Sequence, residues 1–164
     1  RDDVESRGLG DVYKRQMLDS AKIPYEVRTY EFEETDLAGI HAADAVGMPY
    51  ETVFKTLVAR GDKTGFVVFC IPVAEELDLK KAARASKNKS VELLHVKDLL
   101  PTTGYIRGGC SPVGMKKEFP TYIDETAMLF DAIAVSGGMR GVQLIVNPDQ
   151  LLGFVKGEYV DLTA

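Results

Sequence analysis

The chain has 164 residues, 45% apolar and 27% charged, with a net charge of −5. That is the size of one domain with room for a real core, and the balance of a globular protein rather than a low-complexity one. No apolar run approaches the roughly 20 residues of a membrane-spanning helix, no opening segment has the make-up of an export signal, and the net negative charge argues against coating DNA or RNA with the whole surface.

Residues 1–16 have neither helical nor strand periodicity, and are expected to be a leader, artefactual or disordered, ahead of a single domain over 17–164. Met17–Lys22 reads as the end of a helix stopped by Pro24. Tyr25–Tyr30 alternates and is rich in β-branched and aromatic residues, hence a strand. Asp36 is a candidate N-cap for a helix over Leu37–Val46 that Gly47 ends. Val53–Arg60 and Phe66–Ile71 form two strands joined through Gly61–Gly65, and the second, apolar on both faces, is expected to be buried on both sides. Val73–Ser86 is spaced as a helix, with Leu77, Leu79, Ala82 and Ala83 opposite the lysines.

Val91–Leu94 is a short strand, and Lys97–Leu100 a short helix cut off by Pro101. Gly104–Lys117 holds four glycines and a proline, so a long shaped loop is expected. Phe119–Ile123 and Phe130–Val135 are strands about a turn at Asp124–Thr126, and Ser136–Gly141 is a tight glycine turn. A strand at Val142–Val146, a helix at Pro148–Leu152 with proline in its first turn, and an edge strand at Phe154–Asp161 complete the chain. About seven strands and three or four helices without a sustained βαβ repeat predict an α/β (α+β) fold. We expect a mixed, mostly antiparallel sheet forming a partly open barrel with flanking helices.

Lys55 is a charge inside an otherwise apolar strand. Alternation groups it with Val53 and Leu57, while Phe54, Thr56 and Val58 take the other face. Its ammonium must snorkel to solvent, meet a partner or line a cavity. In the last case it is a cation poised for a carbonyl, carboxylate or phosphate. The run Gly108-Gly109-Cys110-Ser111-Pro112 either brings backbone N–H groups close to a ligand or is simply a turn. Ser136–Gly141 is not a dinucleotide fingerprint, because its spacing differs and a strand follows.

Cys70 and Cys110 lack metal spacing and read as reduced thiols in a cytoplasmic protein. Cys110 beside His41 or His95 would make an activated nucleophile, but no third, orienting residue is evident. No Ser-His-Asp set, metal motif or phosphate-binding loop is visible, and neither metal nor cofactor is expected. Between Leu79 and Val91 stand five cations and no acid, among them Lys80, Lys81, Arg84 and Lys87. That run is either a solvated helix face or a transient contact for a phosphate backbone.

Three motifs recur in order: Phe54-Lys55-Thr56-Leu57; Gly104-Tyr105-Ile106-Arg107-Gly108-Gly109-Cys110-Ser111-Pro112-Val113-Gly114 with Lys116 and Lys117 behind it; and Ser136-Gly137-Gly138-Met139-Arg140-Gly141. Together they resemble the YbaK/aminoacyl-tRNA synthetase-associated domain family, from about Met17 to Thr163, and most of all its free-standing bacterial Cys-tRNA(Pro)/Cys-tRNA(Cys) deacylases. The resemblance implies a mixed α/β barrel-like domain that removes an amino acid wrongly attached to proline tRNA. Such editing is needed where a synthetase pocket cannot reject a small amino acid by fit.

The resemblance further implies that the partners are the acceptor end of a mischarged tRNA and, for tRNA choice, prolyl-tRNA synthetase. It maps the functional centre onto Lys55, with Thr56 beside it, and substrate contacts onto Tyr30, Gly108, Gly109, Ser111, Pro112, Ser136, Gly137 and Gly138. In the cysteine branch the substrate's own thiol attacks its ester carbonyl. Lys55 then orients the terminal adenosine or ester, the Gly108–Pro112 backbone holds the carbonyl, and the basic run meets tRNA phosphates. Cys110, Ala38 and Met139 depart from the residues usual in relatives. Removal of alanine or another small amino acid, and a non-catalytic aminoacyl-tRNA-binding module, stand as the alternatives.

Overall fold

A computed structural model describes residues 16–31, 39–107 and 109–164. The expected leader apart from Gln16, the Asp36 cap and Gly108 therefore lie outside the described residues. The first helix, α1, is described over 16–20. Then follow β1 (Tyr25–Thr29), α2 (Gly39–Val46), β2 (Phe54–Gly61), β3 (Gly65–Pro72), α3 (Leu79–Ala85), β4 (Val91–Leu93) and α4 (Val96–Thr103). The chain closes with β5 (Thr121–Asp124), β6 (Ile133–Ser136), β7 (Val142–Val146), α5 (Pro148–Val155) and β8 (Glu158–Val160). None of the described helices is long and apolar enough to cross a membrane.

The strands make two sheets, one ordered β1-β7-β6 and the other β4-β2-β3-β5-β8. The first is antiparallel throughout. In the second, β2 is antiparallel to both β3 and β4, while β3–β5 and β5–β8 are parallel. A parallel bridge between Val53 and Ala134 joins the sheets just ahead of β2. The expected mixed, mostly antiparallel architecture with flanking helices is the one formed.

The apolar run of β3 is buried on both faces, as its composition demands. Val68 and Cys70 enter the main core with Phe54, Ile123, Val135, Leu144 and Leu151. Val67, Phe69 and Ile71 enter a second core beneath Ala82 and Ala83 of α3. A third, smaller cluster of Ala43, Val53, Val73, Ala134 and Ile145 seats α2 on the back of the smaller sheet. Each fully buried large side chain contributes roughly 1.5–3 kcal/mol.

Several expected boundaries move. The helix expected over Val73–Ser86 forms only from Leu79. Asp78 caps it, accepting from the N–H groups of Lys80 and Lys81 at 2.9 and 3.0 Å, and Leu77 is drawn into an antiparallel bridge with Thr163. Pro101 does not end α4, which runs on to Thr103. The ring removes a donor, but the last turn is kept by the Thr103 hydroxyl donating to the Leu99 carbonyl and by left-handed Gly104 donating to that of Leu100.

α5 extends to Val155 and shortens the expected edge strand to Glu158–Val160. Left-handed Lys156 makes the corner between them. The strands expected at Phe119–Ile123 and Phe130–Val135 are displaced to β5 and β6. The three-residue turn expected between them is a 3-10 turn at Glu125–Leu129, held by the Asp124 carboxylate accepting from the N–H and hydroxyl of Thr126.

Candidate active site

Register fixes which way the side chains of β2 face. Thr56 pairs with Cys70 and Lys55 with Ile71, so the two lie on opposite faces of the strand. Thr56 turns to the main core, its hydroxyl 3.7 Å from the Cys70 sulfur. Lys55 shares its face with Val53, which packs against Ala134 and Ile145 of the smaller sheet. Two residues along from those on the same face stand Ser136 and Gln143, themselves a cross-strand pair.

Here a cleft of about 560 Å³ lies between β2, the smaller sheet, α2 and α4, within the range of small-molecule sites. Four expected residues line it: Tyr30, Lys55, Thr56 and Ser136. His41, Arg107, Cys110, Arg140 and Gln143 add polar groups, and Leu93, Leu94, Val96 and Leu99 form an apolar wall. Among the described residues no three His, Cys, Asp or Glu side chains gather as a metal would require.

Lys55 is half-buried, and burial lowers its pKa, with the nearby charges of Glu76 and Glu75 working the other way. An ammonium partly withdrawn from water interacts more strongly with a developing negative oxygen than an exposed one does. Ser136 accepts at Oγ from the Gly138 N–H at 3.1 Å, and its hydroxyl proton has no acceptor among the described residues. Tyr30 ties the end of β1 to the glycine turn by donating its N–H to the Gly141 carbonyl at 2.9 Å.

The two glycine-rich loops meet. A Cβ on Gly109 would lie 3.0 Å from the Cα of Met139 and 3.3 Å from the Arg140 nitrogen, so any other residue would have to push the facing backbone back by a few tenths of an ångström. Arg140 donates from Nε to the Arg107 carbonyl at 2.8 Å. Within the second loop, Gly138 needs its positive φ of 101° to complete the turn.

The loop turns different residues to the cavity from those expected. Arg107 and Cys110 line it, whereas Gly109, Ser111, Pro112, Gly137 and Gly138 do not. Ser111 is fully buried and its Oγ accepts from the Val113 N–H at 3.2 Å, a local turn contact. Burial pushes the Cys110 thiol up to about 12, and Cys70 behind it likewise. Cys110 is therefore no thiolate near neutral pH, even with His41 in the same wall.

The basic run stands apart from the cavity. Lys80, Arg84 and Lys87 are exposed around α3 and its end. Lys81 is engaged, its Nζ 3.0 Å from the Asp161 carboxylate and donating to the Thr163 carbonyl at 2.8 Å.

Sequence reasoning missed Gln143. It is 5% exposed, and its Oε1 has no hydrogen-bond partner among the described residues. The signal that marked Lys55 was there for it too: one polar side chain in Val-Gln-Leu-Ile-Val, a strand otherwise apolar on both faces.

Comparison with known proteins follows the same lines. Residues 36–154 match the family model of the aminoacyl-tRNA editing domain. Over 148 residues, 90% of either chain, the sequence is 49% identical to an Enterococcus faecalis protein provisionally named Cys-tRNA(Pro)/Cys-tRNA(Cys) deacylase EbsC. A crystal structure provisionally described as a trans-editing enzyme for prolyl tRNA synthetase superposes with a TM-score of 0.80 at 24% identity, over 94% of this chain and 97% of that one. The structure of hypothetical protein APE2540 does so with a TM-score of 0.83 at 17% identity, over 92% and 98%. At such identities the two structures speak for the fold alone.

Proposed function

Because the chain belongs to the aminoacyl-tRNA editing domain family, and is thus an aminoacyl-tRNA deacylase, we propose that it acts in trans on cysteine wrongly attached to proline tRNA. The reacting sulfur is the substrate's own. Its thiolate attacks the ester carbonyl, a C–S bond forms, and the bond to the ribose oxygen breaks. The ribose oxygen takes up a proton, and the four-membered cyclic thioester left behind is opened by water to free cysteine.

The protein supplies position and charge. Lys55 sets its ammonium against the ester and terminal ribose, where negative charge grows, and Ser136 offers its hydroxyl proton to the same region. Thr56 and Tyr30 complete the polar lining. Gly109 acts by bringing the two loops together, and the exposed cations of α3 hold tRNA phosphates outside the cavity.

One observation carries this reading. The cavity gathers a partly desolvated lysine and a hydroxyl donor, while Cys110 in its wall is kept protonated. That division of labour suits a substrate that brings its own nucleophile.

The test is a deacylation panel of Cys-, Ser- and Ala-tRNA(Pro) and Cys-tRNA(Cys), with and without prolyl-tRNA synthetase. Cysteinyl esters are expected to be cleaved and seryl esters, with oxygen in place of sulfur, spared. Alanyl esters cleaved as fast would replace the thiol-assisted reading with one for small amino acids in general. A synthetase that narrows cleavage to proline tRNA would identify it as the source of tRNA choice. Binding of tRNA with no ester cleaved would leave a recognition module.

A further inference from the structure

Gln143 is a polar group of the cavity wall that the chemistry above leaves unused, and it is also one whose oxygen is buried without a partner among the described residues. It stands on β7, the central strand of the smaller sheet, paired in register with Ser136 on one side and Arg28 on the other. An acceptor left empty out of water weakens a fold, and native proteins keep few of them. Those that persist are expected where function requires them.

We propose that Gln143 is a specificity residue that accepts a hydrogen bond from the α-ammonium of the aminoacyl group. The inference rests on the deacylase reading and deepens it: the site would recognise its substrate by the amino group common to all aminoacyl esters, whatever the side chain.

Geometry and donor chemistry point to this group. Gln143 lines the cavity from the central strand of the smaller sheet and is only 5% exposed, so we take its position as the deep end of the site, its floor. The nucleotide end of the ligand is continuous with the rest of a tRNA and must occupy the mouth, so the acyl end reaches the floor. That end offers a carbonyl oxygen, which only accepts, and an ammonium with three donors. An unpaired carbonyl oxygen in the wall matches the ammonium. A neutral amide also suits a place that is empty between turnovers. A buried carboxylate there would demand a partner of its own and would compete for Lys55 on the same face. The carboxamide can wait unpaired and turn about its soft terminal torsion to present Oε1 to the ligand.

The experiment measures binding, with no turnover needed. Two adenosine derivatives carry a 3′-amide linkage in place of the ester, one alanyl and one propionyl, which is the same group without its amine. Wild-type protein is expected to favour the alanyl compound by about tenfold or more. Gln143→Met, similar in shape and without an acceptor, is expected to bind both at the weaker level while melting at or above the wild-type temperature. Wild-type protein that binds both alike, or a Gln143→Met variant that keeps the preference, would overturn the proposal. So would a variant that melts lower and loses both ligands equally, since that is a structural role. Discrimination without cleavage of any ester would leave this inference standing and remove the deacylase reading; cleavage without discrimination would do the reverse.

Discussion

Arg140 donates a 2.8 Å hydrogen bond from Nε to the carbonyl of Arg107, 33 residues away, and so clasps one glycine-rich loop to the other at the rim of the cavity. Gly109 completes the clasp, lying against the backbone of Met139. Backbone cannot swing aside as a side-chain tip can. Gly109→Ala is therefore expected to part the loops, lower stability by about 1–3 kcal/mol and raise KM for deacylation. Thermal unfolding and steady-state kinetics on one preparation check both.

Lys55→Ala is expected to lower kcat/KM for deacylation by about 10²–10³-fold with the fold intact by circular dichroism. Full activity in this variant would remove Lys55 from the chemistry.

The pH dependence follows from the burial that lowers the Lys55 pKa below 10.5. Between its folded pKa and the ordinary value the unfolded chain binds more protons, so stability rises with pH across that window. Below the window the desolvated ammonium opposes folding in full. Lys55→Met should thus gain stability at neutral pH, with the gain fading on the alkaline side. Activity on the cysteinyl ester should rise with ionisation of the substrate thiol, near its ordinary pKa of about 8.5. It should fall again below 10.5 as Lys55 loses its proton. In Lys55→Arg the falling limb should vanish.

The exposed cations around α3 make a separate prediction. Replacing Lys80, Arg84 and Lys87 by alanine should weaken tRNA binding and flatten the plot of log affinity against log salt by about 0.7–0.9 per lost contact. Cleavage of a minimal aminoacyl-adenosine ester should be unchanged, because none of the three lines the cavity. An unaltered salt slope would place the tRNA elsewhere.

Asn88 gives a contrast in pure stability. Its Oδ1 accepts from the N–H groups of Lys63 and Thr64 at 2.9 and 3.0 Å, and its Nδ2 donates to Ser86 Oγ at 2.9 Å, pinning the β2–β3 turn to the end of α3. Asn88→Ala should lower stability by about 1–3 kcal/mol, read by denaturant unfolding, and leave KM near wild type.

Strands were legible where a local pattern decided them. Val142–Val146 and the doubly buried β3 follow from runs of apolar residues, and Lys55 announced itself as a charge among them. Gln143 carried the same signal in neutral form and was passed over, since an amide in a strand is easily taken for solvent-facing alternation. Which loop residues face the cavity was not legible. A loop has no period, so the choice of Arg107 and Cys110 over Ser111 and Pro112 depends on the clasp to Arg140. Leu77 reads as helical because nothing nearby reveals its bridge to Thr163. Pro101 reads as a stop because the side-chain and left-handed contacts that sustain α4 beyond it are not matters of propensity.

Cys110 finally bears on how such a catalyst survives its own reaction. In the thiol-assisted reaction proposed above, the cysteinyl ester and its cyclic thioester are acylating agents, and a thiolate within reach would capture either as a protein thioester. With burial holding the Cys110 thiol at about 12 and Cys70 with it, neither is a competing acceptor. Native protein treated with iodoacetamide near neutral pH should keep both thiols unalkylated by intact mass, while the denatured chain gains two adducts. Incubation with substrate should likewise leave no acyl group on the protein, so the editor resists self-inactivation by the mischarged product it removes.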